Sequence, residues 1–318
     1  MNVPWLIVPG FGAHIKATPK RLVVQRDGRI EEYPISSVRH LLVMGGHSVH
    51  SSAVINLVNA GASISFFEAD GEPTGFIRPF GDTTNETVRD AQRAAFPHSY
   101  ALVIAQASIK SRIFSVERLQ EKTGDTILYE GELEILSKAL SELEYLVRID
   151  EIRRIHRLVS DMYYEILSRV LPAELGFRRR TKRPHTDVVN AMFSIGYGML
   201  FGNACVAAVG AHLDPGIGFL HRGKGALVQD VIDPFCPAMV DSKIISLASA
   251  GISREDFDCT GSRCILSDEL VRCLTRELQG SIDQTRLDAQ MVILHDSLLD
   301  RDEFHILLQQ DAVRPGRE

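Results

Sequence analysis

Apolar and polar positions alternate along the first part of the chain and then fall into helical spacing for most of the remainder. LIVPG near the start, RLVVQRDGRIEEYPI and HLLVMG read as strands, and Asp27-Gly28 sits where a tight hairpin turn is needed. SSAVINLVNAGAS carries the three- and four-residue steps of a short helix, with Ser51 or Ser52 placed to cap it and Gly61 following its last turn. ISFFEADGEPTGFIR closes this region as a second hairpin around Asp70-Gly71. Gly81 to Asn85 are turn formers, so the pattern divides the chain into a β-domain over 1–84, a linker over 85–96 and a helical domain over 97–318. The expected fold class is α+β, a small N-terminal β-rich domain followed by a larger all-α domain carrying the chemistry.

Within the helical part, SYALVIAQASIKSRIFSVERLQEK is amphipathic. One long helix is expected from Glu132 to Val170, ended by Pro172 and Gly176. VVNAMFSIGYGMLFGNACVAAVGAHL, capped by Thr186 or Asp187, is apolar nearly all round and should be central. Three later segments, DSKIISLAS, DELVRCLTRELQGSI and TRLDAQMVILHDSLL, also read as helices. No run approaches eighteen uninterrupted apolar residues, so no membrane partner is expected. The N-terminus lacks the features of a signal peptide and reads as a strand.

Charge changes the picture in one place. The net charge of −6 argues against a polyanionic partner, yet Arg148–Arg183 holds ten basic residues against five acids, a local balance of +5. Five of the six residues from 178 to 183 are basic (Arg178, Arg179, Arg180, Lys182 and Arg183), which suits phosphate contact. The five cysteines, odd in number and scattered, suggest reduced thiols in a cytoplasmic protein.

The candidate chemistry lies in FLHRGKGALVQDVIDPFCPAMVD, Phe219 to Asp241. If 226–233 is helical, Asp230 and Asp233 share a face, and His221 in the preceding turn can fold back onto it. A histidine with two carboxylates suits Mn²⁺ or Mg²⁺. Asn190 and Tyr197, seven residues apart, share a face of the central helix.

The order of these motifs resembles the CRISPR adaptation integrase, the metal-dependent endonuclease subunit of the spacer-acquisition complex. The resemblance rests on Arg183-Pro184-x-x-Asp187-x-x-Asn190, Tyr197, Asp214-Pro215, Gly218-Phe219-x-His221 and Asp230-x-x-Asp233-Pro234-Phe235. SSAVINLVNAGASISFFEADGEPTGFI is similar to that family's β-domain. The resemblance implies a homodimer that associates with a small partner subunit and inserts short duplex DNA into a repeat array by phosphoryl transfer. Double-stranded or branched DNA would then be the substrate, with His221, Asp233, Asp230 and His156 as catalytic residues. His156, His221 and Asp233 would hold the metal. Arg178, Arg179, Arg180, Lys182, Arg183 and Asn190 would face DNA, with Tyr163 and Tyr197 in support.

One departure stands out. Where the family places a glutamate ligand, IRRIHRLVSDMYY puts His156. Glu151 lies five residues earlier, about 140° around a helix of 3.6 residues per turn, and points elsewhere. Three readings follow. His156 coordinates and favours Mn²⁺ over Mg²⁺, the site is silent and the chain is a DNA-binding scaffold of the same fold, or the segment aligns differently.

Overall fold

The computed structural model describes residues 5–124, 127–181, 184–259, 263–300 and 302–308. In chain order the strands are β1 (Trp5–Pro9), β2 (His14–Ala17), β3 (Arg21–Arg26), β4 (Arg29–Pro34), β5 (His40–Met44), β6 (Ser48–Val49), β7 (Ser63–Phe67), β8 (Pro73–Ile77), β9 (Phe257–Asp258) and β10 (Ile265–Leu266). The helices are α1 (Ser51–Asn59), α2 (Thr84–Ala94), α3 (Pro97–Thr123), α4 (Glu132–Glu142), α5 (Ile149–Val170), α6 (Val188–Gly210), α7 (Ala226–Ile232), α8 (Ser242–Ala250), α9 (Asp268–Ser281) and α10 (Gln284–Leu299). The chain forms two compact units. The α+β order expected from the sequence is the one observed.

The first unit comprises Met1–Ala95, Phe201–Ile217 and Gln284–Glu303. Its two sheets run β1-β5-β7-β8 and β4-β3-β2-β6. The β3–β4 turn places Asp27 and Gly28 at φ 51° and 75°, the left-handed pair that a two-residue hairpin requires. β5 lies between parallel partners β1 and β7, and its first four residues are buried. An apolar run without alternation is what a strand covered on both faces needs. Leu41 and Val43 enter the core formed with Ile15, Leu22, Leu57 and Ile64. Leu42 faces the end of α6, where a side chain on Gly210 would lie 2.9 Å from Trp5 and 3.1 Å from Leu42. The expected 85–96 linker is mostly the helix α2, and this unit recruits two later segments besides the N-terminal one.

The second unit comprises Phe96–Leu200, Gly218–Asp283 and Phe304–Glu318. α3 and α5 are its long helices. The single helix expected from Glu132 to Val170 is instead α4 and α5, separated by a 3₁₀ turn (Leu143–Tyr145) and a short link over 146–148. The apolar stripe runs unbroken across this segment, so spacing could not reveal the break. Arg148 is extended (φ −105°, ψ 132°) and the Glu151 carboxylate accepts its backbone N–H at 3.3 Å, which starts α5 afresh. Arg169 on α5 then clamps Glu132 of α4 through both guanidinium nitrogens at 2.6 and 2.7 Å. α6 begins where Asp187 accepts the Asn190 N–H at 2.7 Å. By length and apolarity α6 could cross a bilayer, although sequence reading expected no such segment. Its Val188, Met192, Phe193, Leu200 and Ala207 are core residues.

Cys259 and Cys264 are joined in a disulfide, correcting the expectation that all five thiols are reduced. The cause is local: antiparallel β9 and β10 pair Asp258 with Ile265 and bring the two cysteines together. Cys205, Cys236 and Cys273 are not in disulfides.

Candidate functional site

The turn before α7 is shaped by its own carboxylate. Asp230, fully buried, accepts the backbone N–H groups of Phe219 (2.5 Å), Leu220 (3.1 Å) and His221 (2.7 Å), and its Oδ1 also meets His221 Nδ1 at 2.8 Å. A turn folded this tightly onto α7 leaves no room at Gly218, where a Cβ would lie 2.6 Å from Ala226 and 2.8 Å from Asp230. Arg153 of α5 grips the outer side, donating to the carbonyls of Leu220 (2.6 Å) and Phe219 (3.2 Å). With Nδ1 directed at Asp230, His221 keeps Nε2 for another partner. Burial opposes a charge on His221, but the Asp230 hydrogen bond and the nearby Asp233 carboxylate raise its pKa above the usual histidine value.

Asp233 ends α7 and meets three side chains from two other helices. His156 of α5 places Nε2 2.8 Å from Oδ2. Ser108 of α3 donates to the same oxygen. One turn on, Arg112 sends Nη1 to Oδ2 at 3.0 Å and Nη2 to Oδ1 at 2.9 Å. The Arg112 side chain is 3% exposed, and its guanidinium carbon lies 5.7 Å from the centre of the Tyr163 ring. Burial disfavours charge on both members of the pair. Each nonetheless strengthens the other, so Arg112 lies above its ordinary range and Asp233 well below its own. The rings of His156 and His221 meet edge-on with centroids 5.5 Å apart.

A second polar network adjoins the first. Residues 237–241 form a π-helical turn, a distortion that often marks functional positions, and it carries the Asp241 side chain inward. Tyr163 Oη donates to Asp241 Oδ2 at 2.9 Å, Tyr197 Oη donates to Oδ1 at 2.6 Å, and Tyr164 bonds Tyr197 at 2.7 Å. Burial pushes the Asp241 carboxyl up to about 6 despite those two donors.

The structure therefore gathers His156, His221, Asp230 and Asp233 as expected, and brings Tyr163 and Tyr197 to an aspartate that the sequence reading left without a role. Tyr163 is fully buried, so its support is given from within the core. Asn190 is also fully buried and does not face DNA. It staples the basic loop instead: its Oδ1 accepts Arg180 Nη1 (2.7 Å) and Thr181 N (3.0 Å), while its Nδ2 donates to Arg179 O (2.9 Å) and Asp187 Oδ2 (2.8 Å). Arg180 is held further by the rings of Tyr197 (5.2 Å) and Phe193 (5.6 Å). Arg178 and Arg179 remain exposed, along a cleft of about 660 Å³ shared with Asp161, Tyr164, Glu165, Arg180 and Thr181. Lys182 and Arg183 lie outside the described residues. Ser108 and Arg112 went unnoticed in the sequence, and Arg153 was counted only as part of the basic band. The available signal was Ser108 and Arg112 one turn apart within an otherwise apolar helical stripe.

A divalent cation does not fit these residues as they stand. Among the described residues no group of three or more His, Cys, Asp or Glu side chains is poised to hold one. Asp233 Oδ2 is occupied by three donors, and Oδ1 by the second Arg112 nitrogen. His156 Nε2, facing a carboxylate oxygen, carries its proton there and offers no lone pair. A doubly charged ion about 4 Å from the guanidinium would be repelled by it by roughly 8 kcal/mol at an effective dielectric constant of about 20, offsetting much of its attraction to Asp233.

Comparison with known proteins accounts for the motif order. Residues 6–280 match the family model described as CRISPR associated protein Cas1. A protein of Methanospirillum hungatei, provisionally named CRISPR-associated endonuclease Cas1 2, is 43% identical over 299 residues, which is 94% of this chain and 99% of that protein. Two solved structures share the fold: a partial Cas6-RT-Cas1–Cas2 complex (TM-score 0.78, 19% identity, 96% of this chain and 98% of that one) and a casposase bound to integration product (TM-score 0.77, 18% identity, 95% and 97%). The chain belongs to the CRISPR-associated Cas1 family.

Proposed function

We propose that this chain serves in the integration of short duplex DNA into a CRISPR array, as a homodimer joined to a small Cas2-type subunit. The observation that carries the reading is end-to-end similarity: the 43% identical relative is matched over 99% of its length and is named an endonuclease of this family. Structures sharing the fold come from a Cas1–Cas2 complex and from an enzyme bound to its integration product. Exposed Arg178 and Arg179, on a loop fixed by Asn190, supply cationic contacts for the phosphate backbone.

The geometry favours DNA binding and assembly as this chain's own contribution, because Asp233 is already neutralised from within the fold. A second reading, metal-dependent nuclease and strand-transfer activity using Mn²⁺ or Mg²⁺, is favoured by the convergence of His156, His221 and Asp233 and by the relative's name. The two part in a strand-transfer assay with labelled duplex and branched DNA, the partner subunit, and either metal. Duplex capture without joining supports the scaffold. Joining that disappears in His221→Ala supports the enzyme. Failure to bind DNA of either form would reject spacer integration itself.

A further inference from the structure

We infer that Arg112 is the resident cation of the His156–Asp233 cluster and stands in place of a divalent metal ion. The inference concerns the site discussed above and rests on its assignment to a Cas1-family fold.

Three features of the sequence build this arrangement. Ser108 and Arg112 are four residues apart on α3, so both point toward the end of α7. Asp233 terminates α7 and presents both carboxylate oxygens to them. His156 on α5 closes the remaining side. Arg112 meets Asp233 with the two-pronged geometry that matches a planar guanidinium to a carboxylate, and Nη1 also donates to Ser108 Oγ. His156 brings no carboxylate to Asp233, and Arg112 places a positive charge in contact with it, so this carboxylate is balanced without any ion from solution.

The guanidinium is also hard to displace. It does not deprotonate in a protein. Its side chain is 3% exposed and lies over the Tyr163 ring, so leaving Asp233 would strand a buried charge. His156 and Arg112 therefore act on the same carboxylate, and together they leave it no free oxygen for an ion.

The test is uptake of Mn²⁺ by the purified full-length protein, followed as loss of the free-ion electron paramagnetic resonance signal. Wild type is expected to take up no stoichiometric Mn²⁺ at millimolar metal. Arg112→Met combined with His156→Glu is expected to bind at least tenfold more tightly than wild type, with the gain removed by adding Asp233→Asn. One equivalent bound by wild type, and lost in Asp233→Asn, would overturn the inference. A folded double variant that takes up none would likewise overturn the role assigned to Arg112. If the double variant does not fold, the wild-type titration alone decides. Duplex binding measured on the same wild-type preparation keeps the two proposals apart: DNA binding without Mn²⁺ uptake supports both, and neither DNA nor Mn²⁺ bound rejects the function while supporting the inference.

Discussion

Arg112 and Asp233 form a two-pronged ion pair, Nη1 to Oδ2 at 3.0 Å and Nη2 to Oδ1 at 2.9 Å, with side chains only 3% and 17% exposed. Removing either partner strands the other. Arg112→Met or Asp233→Leu alone is expected to cost about 3–5 kcal/mol in urea unfolding. The double variant should cost less than the sum of the two. Strict additivity would mean that the contact is energetically idle.

Asp241 gives the second network a pH signature. Its carboxyl titrates near 6 in the fold, chiefly through burial, against about 3.9 when unfolded. The folded state therefore holds the extra proton between these values. The stability it brings is complete below about pH 4 and is lost as pH rises through about 6, by roughly 3 kcal/mol in all. Urea unfolding at pH 4.5 and 7 should show this fall in wild type and a much flatter difference in Asp241→Asn. Equal pH dependence in the two proteins would remove Asp241 from the account.

His40 in the first unit runs the opposite way. Burial, reinforced by the stacked His212 ring, lowers its pKa to about 3. Its Nδ1 lies 3.3 Å from Gly210 O and its Nε2 2.8 Å from Ser65 Oγ, contacts suited to a neutral ring. Its contribution is full above the unfolded value near 6.5 and declines as pH falls toward 3, by about 2 kcal/mol between pH 6.5 and 5. His40→Gln should lose that slope, and a slope identical to wild type would contradict the assignment.

Arg178 and Arg179 are the exposed cations of the loop that Asn190 holds. Replacing either by alanine should weaken duplex binding on all sequences and reduce the slope of log K against log salt by about 1. Asn190→Ala leaves partners of four hydrogen bonds unsatisfied, and should lower stability by about 1–3 kcal/mol as well as DNA affinity. An Asn190→Ala protein as stable as wild type would show that the loop is held by other contacts.

Much of this architecture was legible in the residue pattern. Alternation around Asp27-Gly28 gave the first hairpin, and the all-round apolar run gave α6. The three-residue spacing of Asp230 and Asp233, with His221 before them, gave most of the site. The α4–α5 break was hidden because apolar spacing continues across it and the stop lies in the backbone of Arg148. Arg112 was hidden for another reason. Position along α3 says nothing of a residue 121 places away, so an arginine in an apolar stripe reads as surface until Asp233 is seen against it. Asn190 was placed on the correct loop but assigned to DNA rather than to the carbonyls and side chains around it.

If Arg178 and Arg179 make the DNA contacts while Arg112 supplies the cation at Asp233, DNA capture by this Cas1-family chain needs no metal ion. Binding of labelled branched DNA to the wild-type protein, measured across a salt series in EDTA and again in Mn²⁺, tests it most directly. The account predicts superimposable isotherms and the same linear dependence of log K on log salt in both. Binding that requires Mn²⁺, or DNA cut or joined by the protein only when Mn²⁺ is supplied, would contradict it.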